Sequence, residues 1–279
     1  MQMKTIARFA RYSCLLAMIG GLSYCARNPY AATNKVYRQE ARSYAKTLRQ
    51  QPGALNGDGG IESPSWVGTV NFNMRKPNLV IIHHTAQNSC EQTLKTFTLQ
   101  RTQVSAHYVI CRNGAIHHML NDYLRAWHGG IAKWGNLTDI NSSSIGIELD
   151  NNGKEPFDSA QIRSLLVLLD TLQHRYNIPA ANFIGHGDIA PGRKVDPSAW
   201  FPWQQLADKG FGLWYKDTSA TVVPESFDPL LSLRLIGYDV KDSSAAIMAF
   251  KRHFIPGDSL PGLNDAGRKI LFNLQQQYQ

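Results

Sequence analysis

The sequence has little cysteine, no stripe of basic residues and no apolar run long enough to cross a bilayer comfortably. Of its four cysteines, only Cys90 and Cys111 fall in the region with a globular pattern, and the lack of a CxxC pair excludes a zinc ribbon. Whether these two cysteines form a disulfide stays open at this point. Basic residues are spread along the 279 residues, so nucleic-acid binding is not expected despite a formal charge of +8. A moderate positive charge helps a protein approach an anionic polymer, although solubility accounts for most of it.

The strongest apolar run near the N-terminus is short and follows a basic start. Residues 14–22 form this run, and the pattern predicts a signal peptide over residues 1–24 and export of the protein. The segment that ends at Cys25 resembles a lipobox, which predicts a lipid anchor on that cysteine. Tyr24 stands where lipoboxes usually carry a small residue, and ordinary cleavage near Ala31 is the alternative.

Composition divides the rest of the chain into a tether, a globular region and a small helical module. Residues 25–63 are rich in Ala, Gln, Asn and Gly and predict a tether with a helix-compatible stretch inside it. The globular pattern covers residues 64–217, and a linker is expected over 218–224. Apolar residues at helical spacing over 225–279 predict three short helices, whose core is small enough that the module should lean on its neighbour.

Short apolar runs in the globular region predict the strands of a mixed sheet. Two such runs lie at residues 79–83 and 183–186, and a third, at 144–149, alternates with period two. This alternation buries three aliphatic side chains on one face and presents Glu148 on the other. The segments on either side of the turn at 112–114 predict a hairpin.

One long amphipathic helix separates these predicted strands. Asp158 and Gln161 have the spacing of a capping box, and an apolar stripe follows them. Asn177 and the proline two residues later predict the end of the helix. Strands interleaved with a long helix predict an α/β fold, a mixed central sheet flanked by helices.

Two histidines and one aspartate form the candidate metal site. His83 and His186 end predicted strands and Asp196 follows in the next loop, and strand ends are where α/β sheets place ligands. Two imidazoles and a carboxylate give zinc three ligands and leave a position for water. The same set suits the iron site of an oxygenase, but such sites generally lie in all-β barrels. Spacing alone is a weak signal, because a single histidine is more often structural.

Three segments, in order, resemble the sequence blocks of zinc N-acetylmuramoyl-L-alanine amidases. They are IHHTA (82–86), SIGIEL (144–149) and GHGDIAPGRKVDP (185–197), and the last is the most specific. The resemblance covers residues 64–217 and is nearest to the outer-membrane lipoprotein type, which carries a C-terminal peptidoglycan-binding domain. LIGY (235–238) and AIMAFKRHF (246–254) are similar to that domain. The resemblance implies one zinc ion per chain.

The resemblance also assigns ligands and catalytic groups. It implies that His83, His186 and Asp196 bind zinc, that Glu148 is the general base, and that Lys194 stabilises the oxyanion. Neighbouring residues of a strand point to opposite faces, so only one residue of the adjacent histidine pair should reach the metal. The family block selects the first, and the second, His84, is expected either to pack in the core or to support the metal ligands.

The expected substrate contacts follow from the same resemblance. AWHGG (126–130) is similar to a segment at the substrate cleft, which implies that Trp127 and His128 contact substrate. For Trp127 a place in the core is an equal alternative. Arg193 is expected to bind substrate carboxylates.

These inferences combine into one expected function. The protein should hydrolyse the amide bond between N-acetylmuramic acid and L-alanine in peptidoglycan. Its expected partners are peptidoglycan and muropeptides, together with the outer membrane through Cys25, and it should be a periplasmic monomer. The alternative is a non-catalytic peptidoglycan-binding protein, and zinc analysis would distinguish the two.

Overall fold

The computed structural model describes residues 28–49 and 69–278 and divides the chain into two units. The predicted signal peptide and Cys25 lie outside the described residues. The first unit ends at Asn71 and contains helix α1 (Ala31–Leu48), which has no buried residue. Within the described residues, no helix combines the length and apolarity needed to cross a membrane.

The second unit, Phe72–Gln279, holds a five-stranded sheet and seven further α-helices within its described residues. In chain order its elements are β1 (Leu79–His84), α2 (Cys90–Phe97), β2 (Tyr108–Ile110), β3 (Ile116–His118), β4 (Ser144–Leu149), α3 (Ser159–Tyr176), β5 (Phe183–Gly185), α4 (His186–Ile189), α5 (Trp203–Ala207), α6 (Pro229–Ile236), α7 (Ser243–Phe254) and α8 (Asp265–Gln275).

The sheet is mixed, as predicted, with strand order β3-β2-β4-β1-β5. Strands β2, β4, β1 and β5 are parallel to one another, and β3 pairs antiparallel with β2 through the predicted hairpin. Gly114 in the hairpin turn has φ +87°, a conformation that favours glycine. The parallel order brings the carboxyl ends of β4, β1 and β5 side by side at one edge of the sheet.

One face of the sheet packs against α3. Alternate residues of β1 and β4, among them Ile82, Ile145 and Ile147, meet the apolar stripe of the helix in one buried cluster. The predicted capping box is not formed, because the Asp158 side chain makes no capping bond. The buried Gln161 side chain instead donates to the carbonyl of Ile110.

The opposite face of the sheet packs against the three C-terminal helices, which confirms the predicted helical module. Leu79 and Ile81 of β1 and Ile184 of β5 belong to the same buried cluster as Phe250 and Leu271. Side-chain caps on each of the three helices fix where they begin. The capping residues are Asp228, Asp242 and Asn264.

A disulfide joins Cys90, at the start of α2, to Cys111, just after β2. The sequence separation of 21 residues corresponds to a stabilisation of about 3 kcal/mol through the entropy of the unfolded chain. The pairing that the sequence left open is therefore present, and it ties α2 to the hairpin side of the sheet.

Candidate metal centre and active site

Three neighbouring strand ends place the candidate site. His83 lies near the end of β1 and is the register partner of Glu148 on β4. His186 directly follows Gly185, the last residue of β5, which pairs with β1 one position before His83. Because the three strands are parallel and adjacent, these side chains come together at one end of the sheet, on the face that the C-terminal helices cover.

Asp196 joins the two histidines from the loop after α4. Its backbone carbonyl accepts a hydrogen bond from Gly187 N at 2.7 Å, which holds the loop against the start of the helix. Its Oδ2 atom lies 3.0 Å from Nδ1 of His83 and 3.0 Å from Nδ1 of His186, and the two Nδ1 atoms are 2.9 Å apart. All three side chains are buried.

The chemistry and spacing of these three atoms fit zinc. Ligands on a tetrahedral zinc ion with bonds of about 2.0–2.1 Å lie about 3.3 Å apart, close to the separations observed. Burial, followed by the charge of His186, lowers the pKa of His83 to about 4, so its ring is neutral at pH 7. Burial opposes ionisation of Asp196, but hydrogen bonds from both histidines outweigh it and lower the pKa of Asp196 below its ordinary value. A neutral imidazole at His83 and an ionised carboxylate at Asp196 are the forms in which these groups bind metals.

Glu148, the register partner of His83, lies beside these three side chains. Its Oε2 atom is buried and has no hydrogen-bond partner among the described residues. Burial and then the charge of Asp196 raise the pKa of Glu148 to about 8, while the Lys194 ammonium acts in the opposite direction. The Lys194 charge also contributes to lowering the pKa of His83, after larger effects of burial and His186. Glu148 and Lys194 are therefore both close enough to the candidate ligands to interact with them electrostatically.

His84 points to the other face of the sheet, as strand alternation requires. Its Nδ1 atom accepts a hydrogen bond from the backbone of Ser198 at 3.1 Å. A Cβ atom at Gly153 would lie only 2.6 Å from its Nε2 atom, so the ring is packed closely. Asp150, two residues after Glu148, lies against Arg112 at 3.4 Å.

The three expected substrate-contacting residues lie in different surroundings. Trp127 is on the surface, with 48% of its area exposed, so it is not a core residue. His128 is buried, and burial lowers its pKa well below the ordinary value. Arg193 donates through Nη2 to the carbonyls of Gly129 and Ile131, each at 2.7 Å.

Two residues outside the predicted site, Ser144 and Asn141, lie next to His128. Ser144 Oγ is 3.2 Å from His128 Nε2, and Asn141 Oδ1 accepts hydrogen bonds from the backbone of His128 and Gly129. Strand alternation offered a signal for Ser144, since residues 144, 146 and 148 share one face of β4. For Asn141 the local sequence holds no such signal.

A buried carboxylate connects the site loop to the C-terminal helices. Asp188, in α4, accepts hydrogen bonds from the hydroxyl of Tyr238 at 2.8 Å and from Nδ1 of His253 at 2.7 Å. It also accepts the backbone N–H of Gly185 at 2.7 Å. The His253 ring stacks on Trp203 with 3.8 Å between centroids. The segment that carries His186 is therefore fixed by side chains from the C-terminal helical region.

Comparison with known proteins identifies the family of this chain. The family model described as N-acetylmuramoyl-L-alanine amidase matches residues 73–199. The N-acetylmuramoyl-L-alanine amidase AmiD of Escherichia coli is 38% identical over 209 residues, which are 64% of this chain and 75% of that protein. The chain belongs to the N-acetylmuramoyl-L-alanine amidase family. The three candidate ligands of this amidase all lie inside the matched segment.

Solved structures of two similar proteins share its fold. AmiD from E. coli, in complex with the substrate anhydro-N-acetylmuramic acid-L-Ala-D-gamma-Glu-L-Lys, has a TM-score of 0.65 and 31% identity, covering 81% of this chain and 98% of that one. AmpDh3 from Pseudomonas aeruginosa has a TM-score of 0.67 and 28% identity, covering 78% and 98%. The likeness extends well beyond the family segment and confirms the predicted fold class.

Proposed function

We propose that this amidase is zinc-dependent and hydrolyses the amide bond between N-acetylmuramic acid and L-alanine in peptidoglycan and its muropeptides. The observation that carries the proposal is the convergence of three buried ligand atoms within 3.0 Å of one another. His83, His186 and Asp196 would hold one zinc ion per chain. A bound zinc ion supplies a Lewis acid that polarises the substrate carbonyl and lowers the pKa of water to about 7.

Glu148 is the general base in this proposal. The positive charge of a bound zinc ion would oppose the burial that raises the pKa of Glu148 to about 8 in the metal-free protein and would favour its ionised form. The buried Oε2 atom, which has no partner among the described residues, would then accept a proton from the attacking water. The same oxygen then donates that proton to the nitrogen of L-alanine as the amide bond breaks. Water adds to the carbonyl carbon, and the products are a free lactyl carboxylate and a free stem-peptide amine.

Lys194 and Trp127 have supporting roles. The Lys194 ammonium, whose charge acts on Glu148 and His83, stabilises the negative charge that develops on the carbonyl oxygen. The exposed indole of Trp127 offers an apolar face to the sugar or the peptide stem.

The proposal includes export and a lipid anchor. The apolar run at residues 14–22 and the lipobox-like segment ending at Cys25 support it. The disulfide between Cys90 and Cys111 supports an oxidising compartment such as the periplasm. One chain supplies every proposed catalytic group, so a monomer suffices for activity.

Mass spectrometry of muropeptides after incubation with the purified protein tests the function. We expect release of free stem peptide, its loss when a chelator strips zinc, and its return when zinc is restored. Glu148→Gln should retain zinc and lose about 10²–10⁴-fold in rate. A protein that binds peptidoglycan and releases no stem peptide with zinc present would be a non-catalytic binder, and the proposal would fail.

A further inference from the structure

We propose that residues 128–131 form an orienting segment that holds both zinc-binding histidines through their outer ring nitrogens, with His128 as the positioning residue for His83. The proposal rests on the proposed function, because it requires the Nδ1 atoms of the two histidines to face the metal. Nε2 of His83 lies 3.1 Å from Nδ1 of His128, and Nε2 of His186 lies 3.1 Å from the carbonyl oxygen of Gly129. One short segment thus contacts both rings on the side away from the metal.

The hydrogen bonds behind His83 form a chain with one consistent direction. With Nδ1 of His83 facing the metal, its proton is on Nε2, which donates to Nδ1 of His128. His128 then carries its own proton on Nε2 and donates to Ser144 Oγ at 3.2 Å. The Ser144 hydroxyl donates in turn to the carbonyl of Ile140 at 2.7 Å. Each donor has an acceptor, and the reverse tautomer of His83 would leave this chain without its first donor.

The second histidine is fixed by a backbone acceptor. A carbonyl oxygen can only accept, so the 3.1 Å contact with Gly129 favours the proton on Nε2 of His186, and Arg193 Nη2, which can only donate, lies farther from that nitrogen at 3.4 Å. Arg193 donates to the same carbonyl and to that of Ile131. The Arg193 guanidinium therefore connects the orienting segment to the loop that carries Asp196.

The segment is held on its other side by Asn141 and by close packing on β4. Asn141 Oδ1 accepts the backbone N–H groups of His128 at 3.1 Å and Gly129 at 2.8 Å. A Cβ atom at Gly146 would come within 2.5 Å of the His128 ring, so only glycine lets the imidazole pack this close to the strand. Both ring nitrogens of His128 are occupied and the side chain is buried, which is the setting of a positioning residue.

Some residues fix the tautomer and orientation of a metal-bound histidine. Removing such a residue typically lowers metal affinity by about 10–100-fold. We therefore expect His128→Ala to weaken zinc binding by about 10–100-fold, measured by competition with a chromophoric chelator on the full chain. His128→Asn, which keeps an acceptor near the position of Nδ1, should recover part of that loss. Ser144→Ala removes only a hydroxyl and should shift affinity in the same direction by a smaller factor.

His107→Ala is the matched control. His107 is also buried, with its ring centroid 6.0 Å from that of His128, but its ring nitrogens bond to Gly146 N and the carbonyl of Leu124 rather than to a metal ligand. It should lower the free energy of unfolding while leaving zinc affinity within about 3-fold of wild type, well below the loss expected for a residue that orients a ligand.

The possible results separate the two proposals. Zinc affinity that is unchanged in both His128→Ala and Ser144→Ala, or that falls equally in His107→Ala, would overturn the positioning role. If His128→Ala does not fold, the Ser144→Ala measurement alone decides. A wild-type protein that binds no zinc would overturn the proposed function instead.

Discussion

Replacing Glu148 with glutamine should stabilise the zinc-free protein in alkaline solution. The folded-state pKa of about 8 lies above the ordinary value of 4.5, so the protonated carboxyl contributes stability that is complete below pH 4.5 and is lost as the pH rises through 8. At about 1.36 kcal/mol per pKa unit the full effect approaches about 5 kcal/mol. The side chain is partly exposed and solvent screens it, so we expect about 2–4 kcal/mol.

Urea unfolding of the chelator-treated proteins at pH 5 and pH 9 measures this effect. The difference in unfolding free energy between Glu148→Gln and wild type should grow by about 2–4 kcal/mol between the two pH values, in favour of the variant. Glu225→Gln, at an exposed position, is the control and should show the same pH dependence as wild type. Equal pH dependence for Glu148→Gln and wild type would show that burial does not hold the Glu148 proton, and the reasoning would be refuted.

Two further predictions concern the catalytic cation and the disulfide. Lys194→Met should keep its zinc and lower kcat by about 10²–10³-fold, because the charge facing the developing oxyanion is lost. An unchanged kcat with a higher KM would instead assign Lys194 to substrate binding only. The double variant Cys90→Ala/Cys111→Ala should lose about 3 kcal/mol in urea unfolding, and a reductant should remove the difference between it and wild type; a persistent difference would point to packing at the two sites.

The strand ends and their ligands could be predicted from sequence because the signals are local. The apolar runs that end at His83 and His186 mark buried strands, and alternation over 144–149 places Glu148 on the face opposite the aliphatic side chains. The family blocks then distinguished His83 from His84, and the structure places the two rings on opposite faces.

The surroundings of the ligands could not be predicted, because they depend on contacts between distant segments. Arg193 has the sequence character of a substrate clamp, yet its guanidinium bonds to carbonyls about sixty positions earlier in the chain. Nothing in the local sequence distinguishes Gly146 from any other glycine in a strand. The structure shows that glycine is required there because the His128 ring packs directly against its Cα atom. The capping pattern at Asp158 failed for the same reason, since Gln161 bonds to the end of β2 instead.

Strands β1 and β5 share one buried apolar cluster with the C-terminal helices, which limits how this protein can be engineered. A chain cut before α6 would bare the aliphatic side chains of Leu79, Ile81 and Ile184 and would leave Asp188 without two of its three donors. The C-terminal helices therefore cannot be removed or exchanged without exposing this buried cluster. An engineer who adds a wall-binding module to this enzyme therefore has to keep the native C-terminal helices in place.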